Sequence, residues 1–190
     1  MRQWVPRYPQ TTEDRCALAA LQAVRGYWLR RSEEEEFVRL AGTVASGPVE
    51  ERGTTAIGVA KAAYAKGMQV QLTCAVGAIE YLGDAEEIDP DPQVQAWVQQ
   101  AVQFQDDIEA WQWLREMVQA ERPVITSINE HPDVGGGSLH SVVVVAVSTG
   151  TVTIIDPEQE PLVRHIKASQ FLASWGAVLY ISLLLTLPSI

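Results

Sequence analysis

A polar loop runs directly into an apolar helix in the stretch Gln10-Thr11-Thr12-Glu13-Asp14-Arg15-Cys16-Ala17-Leu18-Ala19-Ala20-Leu21. Asp14 is of a residue type favoured at helix N-caps, and apolar residues follow it at helical spacing: Ala17, Leu21, Val24 and Trp28. The pattern predicts an amphipathic helix with Cys16 in its first turn. Unpaired backbone N–H groups and the helix dipole favour a thiolate there, and a thiolate is the nucleophilic form of cysteine. Cys16 is therefore a candidate nucleophile, the alternative being an inert buried thiol.

Composition limits the class of protein. The chain has 190 residues, 47% of them hydrophobic, and a net charge of −10. This favours a single domain over residues 1–190, and the charge argues against nucleic acid or anionic membranes as partners. Two cysteines and three histidines show neither a disulfide framework nor zinc-type spacing, so we expect no cofactor and no metal. Without a signal peptide or a run long enough to span a bilayer, the sequence favours a cytoplasmic location. It indicates no oligomeric state.

The first half of the chain is predicted to be mainly helical. Helix starts are expected at Ser32 and at Thr54 or Thr55, and a half-buried strand follows from 68 to 74. Cys74 shares the apolar face of that strand and is expected to be an inert core thiol. Residues 76–105 are acidic and interrupted by proline, and we interpret them as a helical elaboration on the domain. Asp106 or Asp107 then opens another helix, which ends before Pro123.

The last third of the chain is predicted to be mostly strand. Short apolar runs occupy Val124–Ile128, Leu139–Val147 and Thr151–Asp156, and a turn at 148–150 joins the last two as a hairpin. A helix over Lys167–Trp175 precedes a closing strand at Ala177–Leu185. Helices first and an antiparallel sheet afterwards indicate an α+β fold, in which the N-terminal helices carry the nucleophile and pack on a C-terminal antiparallel sheet.

His140 and Asp156 are the candidate catalytic partners of Cys16. The predicted hairpin brings them within a residue or two of facing each other, and cross-strand neighbours lie within side-chain reach. Asp156 is expected to accept a hydrogen bond from one nitrogen of His140, while the other nitrogen faces the cysteine, which is the nucleophile–base–orienter arrangement of covalent catalysis. His131 and His165 are rival bases, but neither has an acidic partner at hairpin spacing.

The set of spacings resembles the papain-like cysteine peptidases that process bacteriocin double-glycine leaders. The resemblance rests on Gln10 six residues before a Cys-x-x-Ala-x-Leu helix start, and on His140 opening a valine-rich strand with Asp156-Pro157 sixteen residues on. It also takes in Thr54–Gly67, Pro123–Ile128 and the terminal Phe171-Leu172-x-x-Trp175 segment. The sequence departs from those peptidases at Ala17, where they usually carry glycine, and in a longer separation between Cys16 and His140. We expect no attached transporter segment, although many leader peptidases are fused to one.

The resemblance implies a role for each of four residues. Cys16 would be the nucleophile, His140 the general base, Asp156 its orienter and Gln10 the oxyanion donor. The implied activity is cleavage of a peptide bond in a peptide or protein substrate through an acyl-enzyme. Two alternatives stay open: transfer of the acyl group to an amine by the same residues, as in a transglutaminase, and a peptidase-like domain that binds a peptide without cleaving it.

Overall fold

The fold is taken from a computed structural model that describes residues 5–10, 15–29, 55–78, 96–97, 100–130, 139–158, 160 and 162–188. The helices whose bounds are described are α1 (Cys16–Leu29), α2 (Ala56–Ala65), α3 (Asp107–Gln119) and α4 (Ala168–Gly176). The strands are β1 (Gln69–Cys74), β2 (Val102–Phe104), β3 (Val124–Asn129), β4 (Leu139–Val147), β5 (Thr151–Ile155), β6 (Val163–Lys167) and β7 (Ser182–Thr186). None of the helices within these ranges combines the length and the apolar character needed to cross a membrane.

The described strands form one sheet in the order β2-β1-β7-β3-β4-β5-β6. Neighbouring strands are antiparallel, except for β1 and β2, which run parallel. The predicted α+β class is therefore confirmed. The sheet is not confined to the C-terminal part of the chain, because the closing strand β7 lies between β3 and β1, which comes from the first half.

Apolar side chains cover both faces of this sheet. On one face α1 and α2 pack over inward-facing residues such as Leu72, Val143 and Leu183. On the other face α3 and α4 pack over the alternate residues, with Trp175 of α4 fully buried. Because both faces of the sheet are covered, the central strands have continuous apolar sequences instead of an alternation of apolar and polar residues. An example is Val142-Val143-Val144-Val145.

Helix α1 is more deeply buried than an amphipathic surface helix. Its side chains are buried from Ala17 to Tyr27, including the polar residues Gln22 and Arg25. The helix therefore lies in the interior, against the sheet and α2. A buried helix holds its first residue, Cys16, in a fixed position relative to the strands.

The N-terminal segment crosses α1 at a glycine. A Cβ atom on Gly26 would lie 3.1 Å from Pro6 Cγ and 3.2 Å from the ring of Tyr8. Glycine permits this close approach because it has no side chain. Further along the segment, the backbone N–H of Gln10 donates to the carbonyl of Pro157, 2.9 Å away. Residues 5–10 are thus fixed between α1 and the end of β5.

Several predicted boundaries agree with the structure. Strand β4 spans Leu139–Val147 as predicted, and Asp106 caps α3 in a capping box with Glu109. The closing strand begins only at Ser182, because Leu179 and Tyr180 adopt positive φ angles of 57° and 58°, which strand backbone does not tolerate.

The predicted elaboration at 76–105 lies mostly outside the described residues, as do the cap at Asp14 and the helix start at Ser32. The elaboration stays a prediction, with one difference at its end. Val102–Phe104 is not helical but forms β2, because its backbone pairs with the free edge of β1.

Candidate active site

Cys16 is the first residue of α1. The carbonyl of the preceding Arg15 accepts the first intrahelical hydrogen bond, from the N–H of Ala19, so the N–H of Cys16 belongs to the end of the helix that lacks internal partners. The Cys16 side chain is half-buried, whereas Cys74 is only 1% exposed. Burial raises the pKa of the Cys74 thiol to about 11. Of the two thiols, Cys16 therefore has the position that suits a nucleophile.

A β-bulge in the β4–β5 hairpin determines which residues share a face with His140. Near the turn, Val147 pairs with Val152 and Ala146 with Thr153, whereas beyond the bulge Val144 pairs with Ile154 and Val143 with Ile155. Continued past the last pair, this register places Asp156 opposite Val142, on the same face as His140. Without the extra residue Asp156 would be opposite Val143 and would point to the other face.

His140 and Asp156 form a buried pair. His140 Nε2 lies 2.8 Å from Asp156 Oδ1, and the two side chains are 4% and 0% exposed. Asp156 accepts this hydrogen bond, so Nε2 carries the proton and Nδ1 is the nitrogen left to face other groups. The Cys16 side chain lies close enough to the imidazole to help raise the pKa of His140. The ring is therefore bonded to the carboxylate and lies beside the thiol.

Two further donors satisfy the Asp156 carboxylate. Arg164 Nη1 donates to Oδ2 at 2.6 Å, and the backbone N–H of Glu158 donates to Oδ1 at 3.1 Å. Sequence reasoning did not identify Arg164. The signal that was available is its place on the strand that follows Asp156-Pro157, since β6 pairs with β5 and brings Arg164 opposite Ile154.

The ionisation of the pair follows from these contacts. Burial lowers the pKa of His140, but hydrogen bonds to Asp156 and Cys16, together with the charges of both, outweigh that effect and raise the pKa to about 10. Burial raises the pKa of Asp156, but the bond and charge of His140, with Arg164 and the Glu158 N–H, lower it to about 2. The arrangement therefore favours an imidazolium paired with the Asp156 carboxylate.

Gln10 lies beside the same hairpin end through its backbone bond to Pro157. Its side chain is half-buried, and its Oε1 atom is buried without a hydrogen-bond partner among the described residues. The structure therefore holds Gln10 next to the residue that follows Asp156.

The rival bases are not part of this cluster as far as the structure describes them. His165 lies on β6, is exposed, and has its Nδ1 3.1 Å from Thr153 Oγ1. His131 lies outside the described residues.

Two glutamates that the sequence did not single out lie near His140. Glu158 Oε2 lies 3.6 Å from His140 Nδ1. One ligand-type atom each from Glu130, His140 and Glu158 lies within 4.8 Å of the other two. These are the residues of the site that could hold a cation.

Comparison with known proteins identifies related folds. A model of the Peptidase_C39 like family matches residues 2–182. No sequence among curated proteins matches the chain. The peptidase domain of Streptococcus ComA, a bi-functional ABC transporter involved in a quorum sensing pathway, superposes with a TM-score of 0.62 at 17% identity, over 97% of this chain and 100% of that one.

Two further structures are similar over nearly the whole chain. A double glycine motif protease from an AMS/PCAT transporter, solved in complex with the leader peptide, gives a TM-score of 0.58 at 18% identity and covers 98% of this chain and 94% of its own. A putative C39-like peptidase from Bacillus anthracis gives 0.64 at 14% identity, over 98% and 96%. The fold of this chain is thus that of the papain-like cysteine peptidases.

Proposed function

Since the chain belongs to the Peptidase_C39 like family and is a cysteine-type peptidase, we propose that it cleaves a peptide bond with Cys16 as nucleophile and His140 as general acid and base. Asp156 orients the imidazole of His140, and Gln10 donates a hydrogen bond to the oxyanion. The substrate is a peptide or protein. A structural neighbour solved with a leader peptide supports a peptide ligand for this fold.

The observation that carries the proposal is the position of the His140 ring. Its Nε2 is fixed at 2.8 Å from Asp156 Oδ1, and the Cys16 side chain lies close enough to the ring to help raise its pKa. Because Asp156 is buried and held by Arg164 as well, the imidazole has one preferred orientation. An imidazole held in this way can exchange a proton with the thiol and then with the leaving group.

The reaction follows from these positions. The Cys16 thiolate attacks the carbonyl carbon of the scissile bond, and the electron pair of the C=O bond moves onto oxygen. Collapse of this intermediate breaks the C–N bond, and the proton on His140 Nδ1 passes to the leaving amine. Water then gives a proton back to Nδ1 and attacks the thioester, which releases the acid and regenerates the Cys16 thiolate and the imidazolium.

The oxyanion needs donors that are held in place before the reaction. The Cys16 backbone N–H is one, because it lies in the first turn of α1. The Gln10 amide is the second. Its oxygen now occupies a buried position without a partner among the described residues, and a 180° turn of the amide places the NH₂ group there instead. The backbone bond from Gln10 to Pro157 holds the amide near the hairpin that carries Asp156.

A peptide library read by mass spectrometry tests the proposal. We expect cleavage products from the wild type and none from Cys16→Ala, while Cys74→Ala, the matched control, keeps activity. Products joined to an added amine would instead indicate acyl transfer. Saturable peptide binding with no product from any variant would show a domain that binds peptides without cleaving them. We expect action in a reducing compartment such as the cytoplasm, where the free Cys16 thiol persists.

A further inference from the structure

We propose that Glu130, His140 and Glu158 form a binding site for a divalent transition-metal ion such as Zn²⁺, and that the bound ion reversibly blocks catalysis. The block, though not the site, rests on the proposed function. His140 Nδ1 and Glu158 Oε2 are 3.6 Å apart, and one ligand-type atom each from Glu130, His140 and Glu158 lies within 4.8 Å of the other two. Three ligands around one zinc ion stand about 3.4 Å apart at ordinary bond lengths, so small side-chain movements close this set.

The imidazole distinguishes the cluster from an ordinary group of surface acids. His140 is 4% exposed and its orientation is fixed by Asp156, so Nδ1 stays on the side of the ring where Glu158 Oε2 lies 3.6 Å away. A metal-ligating histidine typically donates its other ring N–H to a carboxylate, which is the contact that Nε2 makes with Asp156. Asp156 therefore already holds the imidazole of His140 in the way that a metal-binding histidine is usually held.

The carboxylates provide both charge and access. The Glu158 side chain is 40% exposed, and Glu130 and Glu158 line a cavity of about 410 Å³, which gives a hydrated ion access to the two carboxylates. Arg164 lines the same cavity, and its positive charge is offset by Asp156 Oδ2, 2.6 Å from its Nη1. One nitrogen and two oxygen ligands suit Zn²⁺ and its neighbours better than Mg²⁺ or Ca²⁺, which prefer oxygen alone.

Metal binding and catalysis exclude each other because both need the same atom. The ion displaces the proton from Nδ1 into solvent, and a nitrogen whose lone pair is bound to a metal ion cannot accept the proton of Cys16 or deliver one to a leaving amine. Occupancy of the site therefore stops proton transfer without any change of fold, and a chelator restores it.

Calorimetric titration of ZnCl₂ into Cys16→Ala tests the site without the thiol as a competing ligand. We compare Cys16→Ala/Glu130→Gln/Glu158→Gln with Cys16→Ala/Glu116→Gln/Glu121→Gln, which removes the same charge from two exposed glutamates outside the cluster. Losing an outer-shell partner of a metal costs about 10–100-fold in affinity, so losing two ligands should raise the Kd by at least about 100-fold. The control should keep the affinity of Cys16→Ala. Equal affinities in the two triple variants, or Mg²⁺ binding as tightly as Zn²⁺, would overturn the proposal.

A second measurement separates the site from the proposed function. Alkylation of Cys16 in the otherwise unchanged chain should slow on addition of Zn²⁺, recover with EDTA, and respond much less in Glu130→Gln/Glu158→Gln. Neither measurement requires turnover. If the chain shows this zinc dependence but cleaves no peptide, only the proposed function is refuted. If it cleaves peptides but its affinity for zinc does not depend on the two glutamates, only this inference is refuted.

Discussion

Replacing Asp156 with asparagine tests how much the buried carboxylate contributes to the proposed chemistry. The carboxylate has donors on both oxygens: His140 Nε2 and the Glu158 N–H on Oδ1, and Arg164 on Oδ2. Asparagine has one oxygen and one NH₂ group, so it cannot accept from both sides. Arg164 is 36% exposed and can turn to solvent, whereas His140 is 4% exposed and cannot. We therefore expect the amide oxygen to face His140.

The magnitude follows from this orientation. A charge-assisted hydrogen bond contributes about 1.5–3 kcal/mol and a neutral one about 0.5–1.5 kcal/mol, so the imidazolium loses about 1–2 kcal/mol of support. This corresponds to a fall of about 5- to 30-fold in kcat/KM. If the NH₂ group faced Nε2 instead, the wrong tautomer would be favoured and the loss would approach about 10⁴-fold. The pKa of His140, raised to about 10 in part by Asp156, should also fall.

The assay is the pH profile of kcat/KM for a cleaved peptide, with circular dichroism to verify folding. The alkaline limb should move to lower pH in Asp156→Asn, because the imidazolium then loses its proton more readily. Arg164→Gln is the matched control, since it removes the partner of Oδ2 and leaves the bond to His140 in place. An Asp156→Asn variant with kcat/KM within two-fold of wild type and an unmoved alkaline limb would refute the assignment of Asp156 as orienter.

Three further predictions concern the same cluster. Near pH 6 a soft electrophile should label Cys16 much faster than Cys74, whose thiol is 1% exposed with a pKa raised by burial to about 11, and equal rates in the folded protein would contradict the nucleophile assignment. Gln10→Ala should lower kcat by about 10²–10³-fold with little change in KM or in the rate of Cys16 labelling. If steady-state kinetics give a kcat within a few-fold of wild type, another group donates the hydrogen bond to the oxyanion. The Asp156 pKa is lowered from 3.8 to about 2 in the folded protein, so its contribution to stability is present above about pH 4 and is lost as the pH falls toward 2. Thermal unfolding of Asp156→Asn should show a smaller loss of Tm across that window than the wild type, and equal losses would refute this reasoning.

Local patterns in the sequence were sufficient for the elements that carry the cluster. The apolar run that begins at Leu139 defines β4, and Asp106 with Glu109 defines the start of α3. Both signals involve residues a few positions apart, and they act through backbone geometry that the chain adopts locally. The start of α1 at Cys16 and the turn that brings His140 near Asp156 also follow from such patterns.

Non-local pairing decided the features that the sequence did not reveal. The separation of sixteen positions from His140 to Asp156 does not determine whether the two side chains share a face of the sheet, because one bulged residue between Val144 and Ala146 reverses their relative orientation. The position of β7 between β1 and β3 depends on which strand edges meet in the folded chain. The contacts of Arg164 and Glu158 with the pair arise only when β6 and the end of β5 are in place, since side chains far apart in sequence meet through tertiary packing.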